Sequence, residues 1–119
     1  MRILLVDDEE EFVSALAERL SLRGIEAHWT TSAEAALAKV EIACYELAVL
    51  DIKMPRIGGI KLKKILQAKC PDMKFIFLTG HGSEDDFKLG TADVGADCYL
   101  VKPIQIDTLL TRMQEVLEK

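Results

Sequence analysis

The chain has 119 residues, half of them hydrophobic, a size that suits one compact domain around a single core. Its 15 basic and 20 acidic residues leave a net charge of −5, which excludes the strongly basic face that a nucleic-acid binder needs. No apolar run approaches the roughly 18–20 residues of a membrane helix, and the N-terminus reads as a strand, not a signal peptide.

Strands and helices alternate along the whole chain. Ile3–Val6 is an apolar strand with no wet face, followed at once by five acids, Asp7 to Glu11. Phe12, Leu16 and Leu20 recur at helical spacing, and Gly24 stands where a helix C-terminus favours glycine. Ile25, Ala27 and Trp29 alternate as a second strand. Thr31-Ser32-Ala33-Glu34 fits a capping box at the head of a second helix through Val40. Leu47–Leu50 is a third strand that ends at Asp51. Pro55 and Gly58-Gly59 mark a loop, and Ile60, Ile65 and Leu66 mark a third helix that stops before Pro71. Phe75–Leu78 is a fourth strand that ends at Thr79. A poorly patterned segment, Ser83–Val94, stands where a fourth helix is due. Cys98–Val101 is the fifth strand, and Leu109, Met113, Val116 and Leu117 stripe the last helix.

Five βα units with short connections predict an α/β fold: a doubly wound, five-stranded parallel sheet of order 2-1-3-4-5, flanked by five helices. No linker, repeat or low-complexity tract divides residues 1–119, so one domain is expected, with no nucleic-acid-binding or membrane role of its own. Cys44, Cys70 and Cys98 are odd in number and scattered. They show neither Cys-x-x-Cys nor zinc-ligand spacing to His28 or His81, and are expected to be reduced thiols of a cytoplasmic protein.

In such sheets the working edge lies at the carboxyl ends of the strands, near the reversal of strand order. The first strand ends in Asp7-Asp8, the third in Asp51 and the fourth in Thr79, and the fifth runs into Lys102-Pro103. Strands one and three should be neighbours, so three aspartates converge on one small cleft. Like charges raise one another's pKa, and a hard divalent cation such as Mg²⁺ would relieve the conflict. Taken singly, each residue has a plainer reading. Asp51 could be turn chemistry, Thr79 a cap and Lys102 a solvated charge. Glu9, Glu10 and Glu11 read simply as an acidic first helical turn that complements the helix dipole. Their joint placement at successive strand ends decides the matter for Asp7, Asp8, Asp51, Thr79 and Lys102.

The stretches ILLVDDEE, VLDIKMPRIGG, FIFLTGHG and CYLVKPI, in that order, closely resemble the motifs of the receiver domains of bacterial two-component response regulators. The resemblance spans essentially the whole chain. It implies that Asp51 is a phosphoacceptor forming an aspartyl phosphate. Mg²⁺, or Mn²⁺ in its place, would be held by Asp7, Asp8, Asp51 and the backbone carbonyl of Lys53. Thr79 would hydrogen-bond the phosphoryl group, Lys102 would pair with it through a chain bend at a cis Lys102–Pro103 bond, and Tyr99 would be the aromatic switch. Lys53 and His81 occupy the positions that tune hydrolysis. The implied partners are a sensor histidine kinase or phosphotransfer protein, and an output domain or partner protein, with a homodimer after phosphorylation as an alternative. Such a domain is a signalling phosphoacceptor that assists its own phosphorylation and dephosphorylation; it is not a turnover enzyme.

The chain departs from the pattern in two places. Gly58 precedes Gly59 where many receivers carry Asp, a position peripheral to the chemistry. Thr79 and Lys102 are 23 positions apart, one more than expected, which puts an extra residue in or next to the fourth helix. In Ser83–Val94, Gly90 costs about 1 kcal/mol of helix stability relative to Ala. The segment is therefore expected to be the switching element, forming a partner or dimer face with the fifth strand and the last helix. Two rival chemistries fit less well. A flavin mononucleotide binder of this fold would have its phosphate repelled by Asp7 to Glu11. A phosphatase of the haloacid-dehalogenase type wants a second Asp two residues after the nucleophile, where Lys53 stands. A receiver fold that is never phosphorylated is the third alternative, and the full set of site residues argues against it.

Overall fold

The computed structural model describes residues 1–80 and 98–118. The chain runs β1 (Arg2–Val6), α1 (Glu10–Ser21), β2 (Glu26–Thr30), α2 (Ala33–Ile42), β3 (Leu47–Asp51), α3 (Gly59–Lys69), β4 (Lys74–Thr79), β5 (Cys98–Val101) and α4 (Ile106–Leu117). The five strands pair in parallel in the order β2-β1-β3-β4-β5, as the alternating pattern predicts. The expected fourth helix in Ser83–Val94, the extra residue near it, and His81 lie outside the described residues.

The sheet explains why β1 has no polar face. Leu4 and Val6 pack with Ala48, Leu50, Phe75 and Phe77 beneath α2 and α3, which contribute Ala36, Val40, Leu62 and Leu66. Ile3 and Leu5 pack on the other side with Val49, Ile76 and Leu78, under Val13, Leu16 and Leu20 of α1 and Leu109, Met113 and Val116 of α4. A strand covered on both faces must be apolar at every position. β2 is an edge strand and alternates less cleanly. Ala27 packs on the α1 side, whereas Trp29 remains 37% exposed.

Local chemistry sets the helix ends. The α2 cap is Ser32, whose Oγ accepts from the Ala35 N–H at 3.1 Å, one residue later than a cap at Thr31 would be. Gly24 has φ 81°, the left-handed conformation that reverses the chain after α1. Gly59 opens α3 against β3, and a side chain there would collide with the Asp51 carbonyl. The buried stripe of α3 is Leu62 and Leu66, while Ile65 is only half-buried.

One expectation is overturned. Cys44 and Cys70 form a disulfide, with Cα atoms 6.0 Å apart. Scatter along the chain hid the pairing because it is set by strand register. Leu47 and Lys74 are partners in β3 and β4, and the two cysteines lie just before them at the amino-terminal edge of the sheet. No helix among the described residues is long and apolar enough to cross a membrane.

Candidate functional site

The opposite edge of the sheet, where the strands end, carries the polar residues. β1 delivers Asp7, which is 1% exposed, and then the exposed Asp8. β3, the neighbour of β1, ends in the buried Asp51, and β4 ends in the buried Thr79. The β4–β5 pairing runs one residue past the strand, because the Lys102 N–H donates to the Thr79 carbonyl at 2.9 Å. That bond anchors Lys102 beside Thr79 at the end of the sheet, and the Lys102–Pro103 peptide that follows is cis.

One oxygen from each of Asp7, Asp8 and Asp51 falls within a sphere of contact in which every pair lies within 4.8 Å. The Lys102 ammonium lies 2.6 Å from Asp7 Oδ2 and 3.6 Å from Asp51 Oδ2. Asp7 Oδ1 accepts from the Glu9 N–H at 2.9 Å, and Asp51 Oδ1 accepts from the Lys53 N–H at 3.3 Å. Asp7 Oδ2 is fully buried, and its approach to the ammonium is an ion pair without hydrogen-bond geometry. It is a buried oxygen with electron pairs to spare. Three carboxylates with such an oxygen among them form a hard, all-oxygen donor set, which fits Mg²⁺ or Mn²⁺.

Burial pushes the Asp51 carboxyl up to about 6, and the Asp7 charge adds to the rise while Lys102 opposes it. Burial likewise raises Asp7, against the pull of Lys102 and the Glu9 N–H. For Lys102, burial works against the charge, but Asp7, Glu9 and Asp51 together outweigh it and hold the ammonium well above its ordinary range. The cleft is thus a cation among acids, with one of those acids poised to lose its proton near neutrality.

Sequence reasoning missed Glu9. It is the N-cap residue of α1, and Glu10 and Glu11 alone form the acidic first turn. The Glu9 carboxylate accepts from Lys102 Nζ at 3.0 Å, and the same ammonium lies 4.9 Å from the centre of the Phe12 ring. An acid expected only to complement a helix dipole is therefore part of the lysine's setting. The two residues are 93 positions apart, so no local pattern could have signalled the contact.

Tyr99 is in register with Phe77 on β4, with ring centres 5.6 Å apart, and is half-buried. The Lys53 side chain is exposed beside Asp51.

Comparison with known proteins identifies the family. The sequence profile of the response regulator receiver domain matches residues 3–114. The response regulator MprA of Mycobacterium avium is 32% identical over 119 residues, covering all of this chain and 52% of its own. The alkaline phosphatase synthesis transcriptional regulatory protein PhoP of Bacillus subtilis is 33% identical over 118 residues, which cover 99% of this chain and 49% of PhoP. The chain thus spans about half the length of these relatives. Among solved structures, a CheY-like response regulator receiver domain protein from Methanospirillum hungatei superposes with a TM-score of 0.88 at 33% identity, over 98% of this chain and 93% of that one. In strand order and in sequence along nearly its full length, the chain belongs to the response regulator receiver domain family of two-component systems.

Proposed function

We propose that this chain is a phosphoacceptor in which Asp51 takes a phosphoryl group from a phosphohistidine of a sensor histidine kinase or phosphotransfer protein. The observation that carries this reading is a buried Asp51 carboxyl facing Lys102 and two further aspartates across one cleft. An Asp51 oxygen forms the new P–O bond as the P–N bond breaks, and the imidazole leaves with the electron pair and takes up a proton. Lys102, drawn from its carboxylate partners, offsets the negative charge that the phosphoryl oxygens bring in. Thr79, beside it at the end of β4, donates its hydroxyl to the phosphoryl group. Asp7, Asp8, Asp51 and the Lys53 carbonyl would hold a divalent cation, which would supply charge neutralisation at the phosphoryl oxygens.

The relatives' greater length supports an output module beyond these residues. That module, or a separate partner protein, would be controlled through the face that contains β5 and α4. The domain would work in the cytoplasm, with residues 1–119 acting as a single unit. The direct test is incubation with Mg²⁺ and a small phosphodonor, followed by intact mass. One stable phosphoryl increment supports the reading. Continuous turnover of varied phosphate esters points to a phosphatase, and no increment at all to a receiver fold without phosphorylation.

Two expectations follow from the neighbours of Asp51. Asp8→Asn removes one anionic ligand and should weaken Mg²⁺ binding on the order of tenfold, since affinity follows ligand charge. Titration calorimetry reads this directly, and unchanged affinity would remove Asp8 from the ligand set. Lys53 is long, cationic and exposed, two residues beyond the acceptor. If it folds over the phosphoryl group it obstructs the in-line water, so Lys53→Ala should shorten the acyl-phosphate half-life. A half-life equal to that of the unmodified protein would refute the shielding.

A further inference from the structure

The edge of the sheet opposite Asp51 has its own chemistry. Cys44 lies in the turn before β3, and Cys70 caps the C-terminus of α3 in the turn before β4. Bonds other than the disulfide hold both backbones. The Cys44 carbonyl accepts from Arg2 Nη1 at 3.1 Å, and the Cys70 N–H donates to the Leu66 carbonyl at 2.8 Å. The following turn is fixed as well, since the Met73 N–H donates to the Cys70 carbonyl and the Lys74 N–H to the Glu46 carbonyl, each at 3.0 Å. The resulting Cα separation of 6.0 Å is inside the range that a disulfide spans without backbone movement. Opening the bond would therefore leave two thiols already in place to close it again. The two residues also differ in exposure: Cys70 is buried, whereas Cys44 is partly exposed. Both line an open cavity of about 510 Å³, to which Arg2, Lys69, Pro71 and Lys74 also contribute.

We propose that Cys44–Cys70 is a reversible thiol–disulfide exchange site, served by a low-molecular-weight thiol and its disulfide. The inference stands apart from phosphotransfer and does not depend on it. In reduction, a small thiolate attacks the sulfur of Cys44, the more exposed of the two residues, forms a mixed disulfide and displaces the Cys70 thiolate. A second small thiolate attacks the sulfur of the small thiol, releases its disulfide and frees Cys44, and each protein thiolate takes a proton from solvent. Two electrons pass from two small thiols to the protein bond; oxidation by the small disulfide is the reverse. The loop that the bond closes spans 26 positions and contains β3, Asp51 and α3. Oxidation thus clamps the unit that carries the acceptor by restricting its unfolded chain.

The test equilibrates the native protein in buffers graded from glutathione to glutathione disulfide, quenches free thiols by alkylation, and maps the peptides. The expected result is a linked Cys44–Cys70 peptide that gives way to two alkylated cysteines across the series. The thermal midpoint should be higher by roughly 10 °C in the oxidised form. Cys44→Ser should lose that shift. The wild-type series carries the test by itself if the variant does not fold. A pair that stays reduced in the most oxidising buffer overturns the proposal. So does one that stays bonded in the most reducing buffer, or one that stops at a glutathione adduct. Exchange without a change in midpoint overturns the clamp.

Discussion

Asp51→Asn is expected to abolish phosphoryl labelling by both kinase and small phosphodonor. The amide has no anionic oxygen with which to attack phosphorus, and no other carboxylate can take over without losing its own role. Asp7 is committed to the Lys102 ammonium at 2.6 Å and to the Glu9 N–H at 2.9 Å. Asp8 is exposed at the rim, whereas Asp51 is buried at the end of β3 with the lysine 3.6 Å away. The substitution keeps the shape of the side chain and the acceptor for the Lys53 N–H, so the loss would report chemistry and not collapse of the loop. Intact mass after incubation with Mg²⁺ and donor reads the result. Labelling of Asp51→Asn at the wild-type rate would remove Asp51 as the acceptor.

The same substitution should make the metal-free protein more stable at pH 7.5, by on the order of 2 kcal/mol, because a folded-state carboxyl raised from 3.8 to about 6 is destabilising when charged. The direction follows from linkage. A raised acid binds a proton more tightly in the folded state, so between pH 4 and 6 the folded protein holds more protons than the unfolded one. Its stability then falls as pH rises through that window, and the full cost is present above pH 6. The advantage of Asp51→Asn should therefore be largest near pH 7.5 and vanish toward pH 4. Saturating Mg²⁺ should shrink it as well, since a bound cation stabilises the wild-type carboxylates in the folded state. Urea titrations of both proteins at pH 4.5 and 7.5, with and without Mg²⁺, measure all of this. An advantage independent of pH would show that burial of the charge is not its cause.

Much of this protein is legible along the chain because its information is local. The apolar runs Ile3–Val6 and Phe75–Leu78 announce strands covered on both faces, and the βα alternation leaves few ways to wind a sheet. The site is legible for a related reason. In a parallel sheet all strands end on the same side, so Asp7, Asp8, Asp51, Thr79 and Lys102 could be gathered from strand ends before any distance was known.

What the chain alone could not supply depends on contacts between distant segments. Glu9 looks like any acid in a first helical turn, and only the path of Lys102 across the cleft makes it a partner of that lysine. Cys44 and Cys70 look like unpaired thiols until the register of Leu47 with Lys74 sets their turns side by side. The Asp51 pKa is likewise invisible in sequence, because burial and the Asp7 charge that raise it exist only once β1 and β3 lie together. Strand endings and apolar periods are properties of neighbours in sequence, whereas pairings, burial and charge coupling belong to neighbours in space, and only the packed sheet decides which those are.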